Sequence, residues 1–323
     1  MIEAEPNRVT YARTLAEIGE TNALVIVFDA DVSKSTNTYR FQQRFPDRFF
    51  NVGVAEQNMM CIAAGLATTG LVPFTNTFAV FASMRACEQI RTSICYPKLN
   101  VKVVAVNAGL ENFGDGVTHQ GIEDIAIMRS LPNIAVLSPS DPVITRLATL
   151  AMLEHVGPIY MRLGRQPATV LHAADAEFRL GKMIRMREGN DVTLIATGNM
   201  VEQSLLAAAA LEKKGIHARV LECHTIKPID REEILRAARE TAGIVTAEDH
   251  NVIGGLGSAV CEVVAEGCPA VVKRVGLQDT FARSGRDPKK LFALYQMDAS
   301  EIVRQAEEVL SLRALLSANR VVN

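Results

Sequence analysis

Four short runs of this chain hold side chains that could move a proton or grip an anion. Asp31-Val-Ser-Lys-Ser35 joins a carboxylate to an amine and hydroxyls, and Asn51-Val-Gly-Val-Ala-Glu56-Gln57-Asn58 sets a carboxylate among amides. Pro73-Phe-Thr-Asn-Thr-Phe78-Ala-Val-Phe81 places two aromatics three residues apart. Asn107 leads into Gly114-Asp115-Gly116-Val117-Thr118-His119-Gln120, a glycine-rich loop with an acid and an imidazole. Carboxylates and imidazoles are the usual proton carriers of general acid–base chemistry. Each run also has a plainer reading. Glu56 suits the first turn of a helix, where the dipole favours an acid. Phe78 and Phe81 have the spacing of a core-packing pair on a helix. His119 fits a surface turn.

Several other chemistries are excluded. There is no G-x-x-x-x-G-K-[ST] phosphate loop, no G-x-S-x-G elbow and no H-E-x-x-H pair. No G-x-G-x-x-G follows the first strand of either half, against a dinucleotide site of the usual type. Gly254-Gly255-Leu256-Gly257 follows a strand and opens a helix, so its amides could hold an anion, although a tight turn explains it as well.

These runs lie at the ends of expected strands. Apolar strands are expected at 24–28, 49–52, 101–106, 134–137 and 159–163, alternating with helices at 10–20, 56–67, 78–94, 123–130 and 141–154. Thr10 is the expected cap of the first helix. Mixed charge without a period marks 167–190 as a linker. The alternation resumes with strands at 192–197, 218–223, 244–248 and 271–275 and helices at 201–214, 257–265 and 299–316. Continuous apolar strands between helices indicate α/β architecture: two doubly wound domains in series, 1–166 and 191–323, each around a mostly parallel sheet. Ligands in such sheets sit at the carboxyl ends of the strands, where the four runs fall.

Composition agrees. The 323 residues, 48% hydrophobic and 22% charged, suit a globular chain of about two domains. A net charge of -2 gives no global field for nucleic acid. Six cysteines without a C-x-x-C pair argue against a zinc site or disulfide framework and suit a reducing cytoplasm. The polar N-terminus is not a signal peptide, and no apolar run approaches the ~20 residues that span a bilayer.

Together, FxNVGVAEQNM, PFTNTFAVF, GDGVTHQGIEDIAIMRSLPNIAVLSPSD and EDHNVIGGLGSA resemble the transketolase family of thiamine diphosphate enzymes, in particular its pyrimidine-binding and C-terminal domains. The resemblance implies that Glu56 stands beside the cofactor's aminopyrimidine ring nitrogen, where burial would let it share a proton with the ring. It implies that Phe78 and Phe81 flank the pyrimidine and that Asp31 lies near the cofactor pocket. Asp115 and His119 match residues that bind the sugar's hydroxyl and carbonyl groups, His119 also taking a catalytic part. Arg8, Ser35 and Arg165 match a set that grips a sugar phosphate, which two cations and a hydroxyl suit. Asn107 stands where ordinary transketolases have a substrate-holding histidine, and 108–113 also departs from the usual sequence, so the sugar recognised is open.

Family members hold Mg²⁺ and the diphosphate in a separate domain, through a Gly-Asp-Gly and a later asparagine. Here Gly114–Gly116 belongs to the substrate loop and Asn133 follows too closely. The expectation is therefore a split transketolase with no metal ligands of its own: a C-terminal subunit, inactive alone, that pairs with an N-terminal, diphosphate-binding subunit in an α2β2 heterotetramer. The helices at 59–66 and 78–94 are apolar around much of their circumference and are the candidate docking face. The beta subunit of a 2-oxoacid dehydrogenase shares the domain plan but would lack the D-G-x-T-H-Q loop. A split relative of 1-deoxyxylulose-5-phosphate synthase would consume pyruvate instead of a ketose donor. A non-catalytic subunit that kept the fold would need none of these side chains together.

Overall fold

A parallel sheet covered by helices on both faces gives its strands nowhere to expose a side chain, and that condition shapes the chain. The computed structural model describes residues 4–321. Its strands in the first half are β1 (Glu5–Pro6), β2 (Val25–Asp29), β3 (Phe49–Asn51), β4 (Val72–Phe78), β5 (Lys102–Val106), β6 (Ala135–Leu137) and β7 (Ile159–Arg162). β8 (Pro167–Ala168), β9 (Ile184–Arg187), β10 (Val192–Ala196), β11 (Ala218–Glu222), β12 (Thr225–Lys227), β13 (Gly243–Asn251) and β14 (Val271–Leu277) follow. The first sheet has the order β12-β6-β7-β5-β4-β2-β3 and the second β14-β13-β10-β11-β9. Each is parallel except for one antiparallel edge strand, β12 and β9 respectively. The architecture is the expected pair of α/β domains.

β2, β4 and β5 are buried along their whole length. Two charged residues lie on them, Asp29 at the end of β2 and Lys102 on β5. The Lys102 ammonium donates to the carbonyls of His155, at 2.6 Å, and Gly157, at 2.8 Å. That is the C-terminal end of the helix Pro142–Glu154, where the dipole attracts a cation, and burial still lowers its pKa to about 7. The helix Glu56–Ala67 packs Met59, Met60, Ala63 and Ala64 on the sheet.

Four local expectations need correction. The first helix begins at Asn7 with Pro6 as its cap, and the Thr10 hydroxyl instead donates to Glu5 Oε1 at 2.5 Å. Phe78 ends β4 rather than starting a helix. Pro73 is the second residue of β4, where its missing N–H disturbs the ladder little. The helix that follows is wound as π turns at Phe81–Arg85 and Ile90–Cys95. Finally, 167–190 is more than a linker, because β8 pairs back with β1 and β9 joins the second sheet. In β9 the apolar Ile184 and Met186 alternate with Arg185, paired with Glu188 and Glu233, and Arg187, paired with Glu212.

The domains meet through polar contacts as well as β12. His172 bridges Asp141, the cap of the helix Pro142–Glu154, at 3.1 Å and Glu222 at the end of β11 at 2.8 Å. Burial alone would lower the imidazole's pKa, but hydrogen bonds and charge from the two carboxylates outweigh it and raise the pKa to about 9. A raised histidine pKa adds stability that is full below the unfolded value near 6.5 and is lost as pH rises through 9. The wild-type chain should therefore lose up to about 3 kcal/mol of unfolding free energy between pH 6 and 10 that His172→Gln does not lose, by urea denaturation. Equal slopes in the two proteins would refute the bridge.

Candidate functional site

The first sheet reverses strand order between β2 and β4, with β3 beside β2 on one side and β5 beyond β4 on the other. Loops leaving the carboxyl ends of those strands diverge there and leave a crevice. Asp31, two residues past β2, adopts φ 63°, is exposed, and accepts from Asn51 Nδ2 at 2.8 Å. Asn107, just after β5, adopts φ 58°; its side chain is buried and Oδ1 has no partner.

The Glu56 carboxylate follows β3 and is only 1% exposed. Arg85 Nη1 donates to both its oxygens, at 2.9 and 2.8 Å, and Thr77 Oγ1 lies 3.4 Å from Oε1. The Arg85 guanidinium also lies over the Phe81 ring, 4.2 Å from its centroid. Phe81 stacks on Phe78 with centroids 5.8 Å apart and planes at 16°. His119 meets both rings edge-on, at 5.3 Å from Phe81 and 6.0 Å from Phe78, and its Nδ1 shares a 2.8 Å hydrogen bond with Thr118 Oγ1. Glu56, Phe78, Phe81 and His119 thus form one cluster, linked by an arginine that the motif reading missed. Its signal was present: Phe81 and Arg85 are four residues apart, the spacing at which helical side chains meet.

Another cluster gathers cations. Arg8 donates to the Ser35 carbonyl at 2.7 Å, so Ser35 enters through its backbone here. Arg165 donates to Asn112 Oδ1 at 2.6 Å and Asp115 Oδ2 at 3.0 Å. Arg8 is close enough to Arg165 that, after burial, this neighbouring charge is the next cause lowering its pKa. Its Nε is buried and unpartnered. Glu111 and Asn112 beside this pair were not singled out, because 108–113 matched no pattern. Asn107 makes no hydrogen bond to either arginine.

The glycine-rich turn at 254–257 is not an open anion site. Glu248 Oε2 accepts from the Leu256 amide at 2.6 Å and Oε1 from the Gly257 amide at 2.9 Å, so the chain's own carboxylate fills that helix N-terminus. Among the described residues no group of three or more His, Cys, Asp or Glu is arranged to hold a metal, and no helix is long and apolar enough to cross a membrane.

Two α/β domains thus bring a buried carboxylate and an aromatic wall to the carboxyl edge of the first sheet. The family model "Transketolase, pyrimidine binding domain" matches residues 6–169 and "Transketolase, C-terminal domain" matches 181–302. The chain belongs to the transketolase family and corresponds to a split-transketolase subunit. It is 45% identical over 304 residues to the 6-deoxy-6-sulfo-D-fructose transketolase subunit SqwH of Clostridium sp. (strain MSTE9), covering 94% of each chain. It is 37% identical to an apulose-4-phosphate transketolase subunit of Actinobacillus succinogenes over 84% of this chain and 89% of that one. Among solved structures, "Split gene transketolase, inactive beta4 tetramer" superposes with TM-score 0.88 at 46% identity, covering 96% of this chain and 99% of that one.

If Arg85 is what makes burial of Glu56 tolerable, removing it should leave a desolvated charge. Arg85→Met is expected to lose about 1–3 kcal/mol by urea denaturation, and adding Glu56→Gln should recover much of that loss. Additive losses in the double-mutant cycle would show that the pair is not coupled.

Proposed function

We propose that this subunit holds the aminopyrimidine of thiamine diphosphate and the sugar, and that with a diphosphate-binding partner it transfers a two-carbon ketol unit from a ketose phosphate to an aldose or aldose-phosphate acceptor. The observation that carries this reading is the buried Glu56 carboxylate beside the stacked Phe78 and Phe81 rings. A carboxylate and an aromatic face are the groups an aminopyrimidine needs: an acceptor for a ring N–H and an apolar wall. Thiamine diphosphate, when bound, supplies the nucleophilic carbon that takes up the two-carbon unit.

In this reading Glu56 holds a proton in common with the pyrimidine, and Phe78 and Phe81 exclude water from that hydrogen bond. Asp31 borders the same pocket. His119, packed edge-on against both rings, hydrogen-bonds the sugar's reacting oxygens and carries protons to and from them. Asp115 takes a sugar hydroxyl. Arg8, Arg165 and Ser35 hold the anionic end of the sugar, with Asn107 at the end of β5 available to donate. The names of the two relatives, a sulfosugar enzyme in one case and a sugar-phosphate enzyme in the other, support an anionic terminus.

The partner would carry the Mg²⁺ and diphosphate ligands and would dock beside the crevice in a cytoplasmic α2β2 assembly. Val54 (70% exposed), Met84 (45%) and Ile62 (36%) give that face an apolar surface, on the two helices expected from the sequence and the loop before them. A subunit of a 2-oxoacid dehydrogenase would not need the loop from Gly114 to Gln120.

Calorimetric titration of thiamine diphosphate with Mg²⁺ tests the reading. Binding is expected only when the partner is present, together with two-carbon transfer from a ketose phosphate. Tight Mg²⁺-dependent binding to the lone chain would sink the split. In the assembled enzyme Glu56→Gln should lower kcat by at least about 10²-fold; full activity in that variant would remove Glu56 from the chemistry.

A further inference from the structure

We propose that Glu111 is a specificity-determining residue: its carboxylate offsets one of the two arginine charges at the anionic end of the sugar site and so favours a singly charged terminus over a doubly charged one. This rests on the reading of Arg8, Ser35 and Arg165 as the site for that end.

Glu111 closes the short turn Gly109–Glu111 in the segment that departs from the usual family sequence. Its side chain is buried against the residues following β7. Oε2 accepts from the Gln166 amide at 3.1 Å, and Oε1 accepts from Asn199 Nδ2 at 3.0 Å. The approach is so close that a Cβ at Gly164 would stand 2.0 Å from Oε2, so glycine there is what admits the carboxylate. The Arg8 guanidinium feels both the Arg165 charge and the Glu111 charge. On the other side Asp249, from β13, accepts from the Leu110 amide at 2.8 Å and shares Asn199 Nδ2 at 3.1 Å, and the nearby Arg162 charge favours its ionised form. Asp115 already takes Arg165 Nη1 at 3.0 Å.

The charges facing the sugar's end are therefore Arg8 and Arg165 against Asp115, with Glu111 behind them. With Glu111 ionised these sum to zero, and with it protonated to +1. An added carboxylate repels a ligand in proportion to the ligand's charge, so it penalises a dianion twice as much as a monoanion. Burial, with Asp249 acting in the same direction, raises the Glu111 pKa to about 7, so the balance changes across neutral pH. A phosphate monoester gains its second charge near pH 6, whereas a sulfonate keeps one charge throughout. The unpartnered, buried Arg8 Nε remains as a donor for either group.

The test uses the enzyme reconstituted with its partner and two ketohexose donors that differ only in a C6 phosphate or a C6 sulfonate. At pH 8, Glu111→Gln is expected to lower KM for the phosphate donor by about the square of its effect on the sulfonate donor, roughly ninefold against threefold, with kcat within twofold. Equal effects on both donors, or none, would overturn the proposal. A second measurement needs no variant: with the sulfonate donor, wild-type KM should rise from pH 6 to pH 8, and a flat profile would count against Glu111. Absence of transfer from every ketose would sink the functional reading instead. Calorimetric titration of methanesulfonate and methyl phosphate, which carry one and two charges at pH 8, into wild type and Glu111→Gln would then still decide the charge preference.

Discussion

A carboxylate withdrawn from water must find a cation or a set of N–H donors, and much of this chain is arranged around that requirement. Glu56 has Arg85, Asp124 has Arg162 at 2.9 Å, and Glu248 has the amides that open the helix Leu256–Gly267. The solutions differ in consequence. Asp124 and Arg162 are both almost wholly buried, and Arg162 also donates to the carbonyls of Gly121 and Asp249, which fixes the pair as part of the join between domains. Glu248 is fixed by its own backbone. Arg85 is 43% exposed and reaches Glu56 from the surface, so of the three pairings this one is the most open to rearrangement.

The seam between domains is the second organising feature, because the site does not belong to the first domain alone. β12 adds an edge to the first sheet, His172 bridges Asp141 to Glu222, and His250 on β13 accepts the Ala126 amide at 3.3 Å. Through Asn199, which donates to both Glu111 and Asp249, the second domain reaches Glu111, whose other oxygen accepts from the Gln166 amide next to Arg165. The C-terminal domain therefore contributes to the polar surroundings of Glu111, and so to the edge of the arginine cluster, from across the seam.

What could be read in the sequence follows from the range of the interactions. Helices and buried strands register locally as apolar periodicity, so the two-domain α/β plan was visible, and the Glu56–Ala67 helix ends where its apolar pattern ends. β4 was obscured because Pro73 speaks against a strand and the register that tolerates it depends on β2 and β5. β12 pairs with a strand about 90 residues earlier, and β9 alternates over only four residues. The motifs located the aromatic wall, Glu56 and His119. They could not supply Arg85 or Glu111, whose importance comes from contacts and neighbouring charges rather than from a pattern.

The candidate site must also be stable as part of a folded chain, and the pairing of its polar groups indicates how. Glu56 is held by Arg85, Asp115 by Arg165, His119 by Thr118, Asp31 by Asn51, and Arg8 by the Ser35 carbonyl. None of these contacts needs another chain, so exposing this edge leaves few buried charges uncompensated. Most involve at least one partly exposed partner, and such pairs contribute little net stability, of the order of 0–1 kcal/mol for exposed ion pairs. They are weak enough to be exchanged for a substrate and strong enough to orient the side chains beforehand. The price is loss of water exclusion, since the aromatic wall covers only one side, and a partner chain closing the other side would complete it.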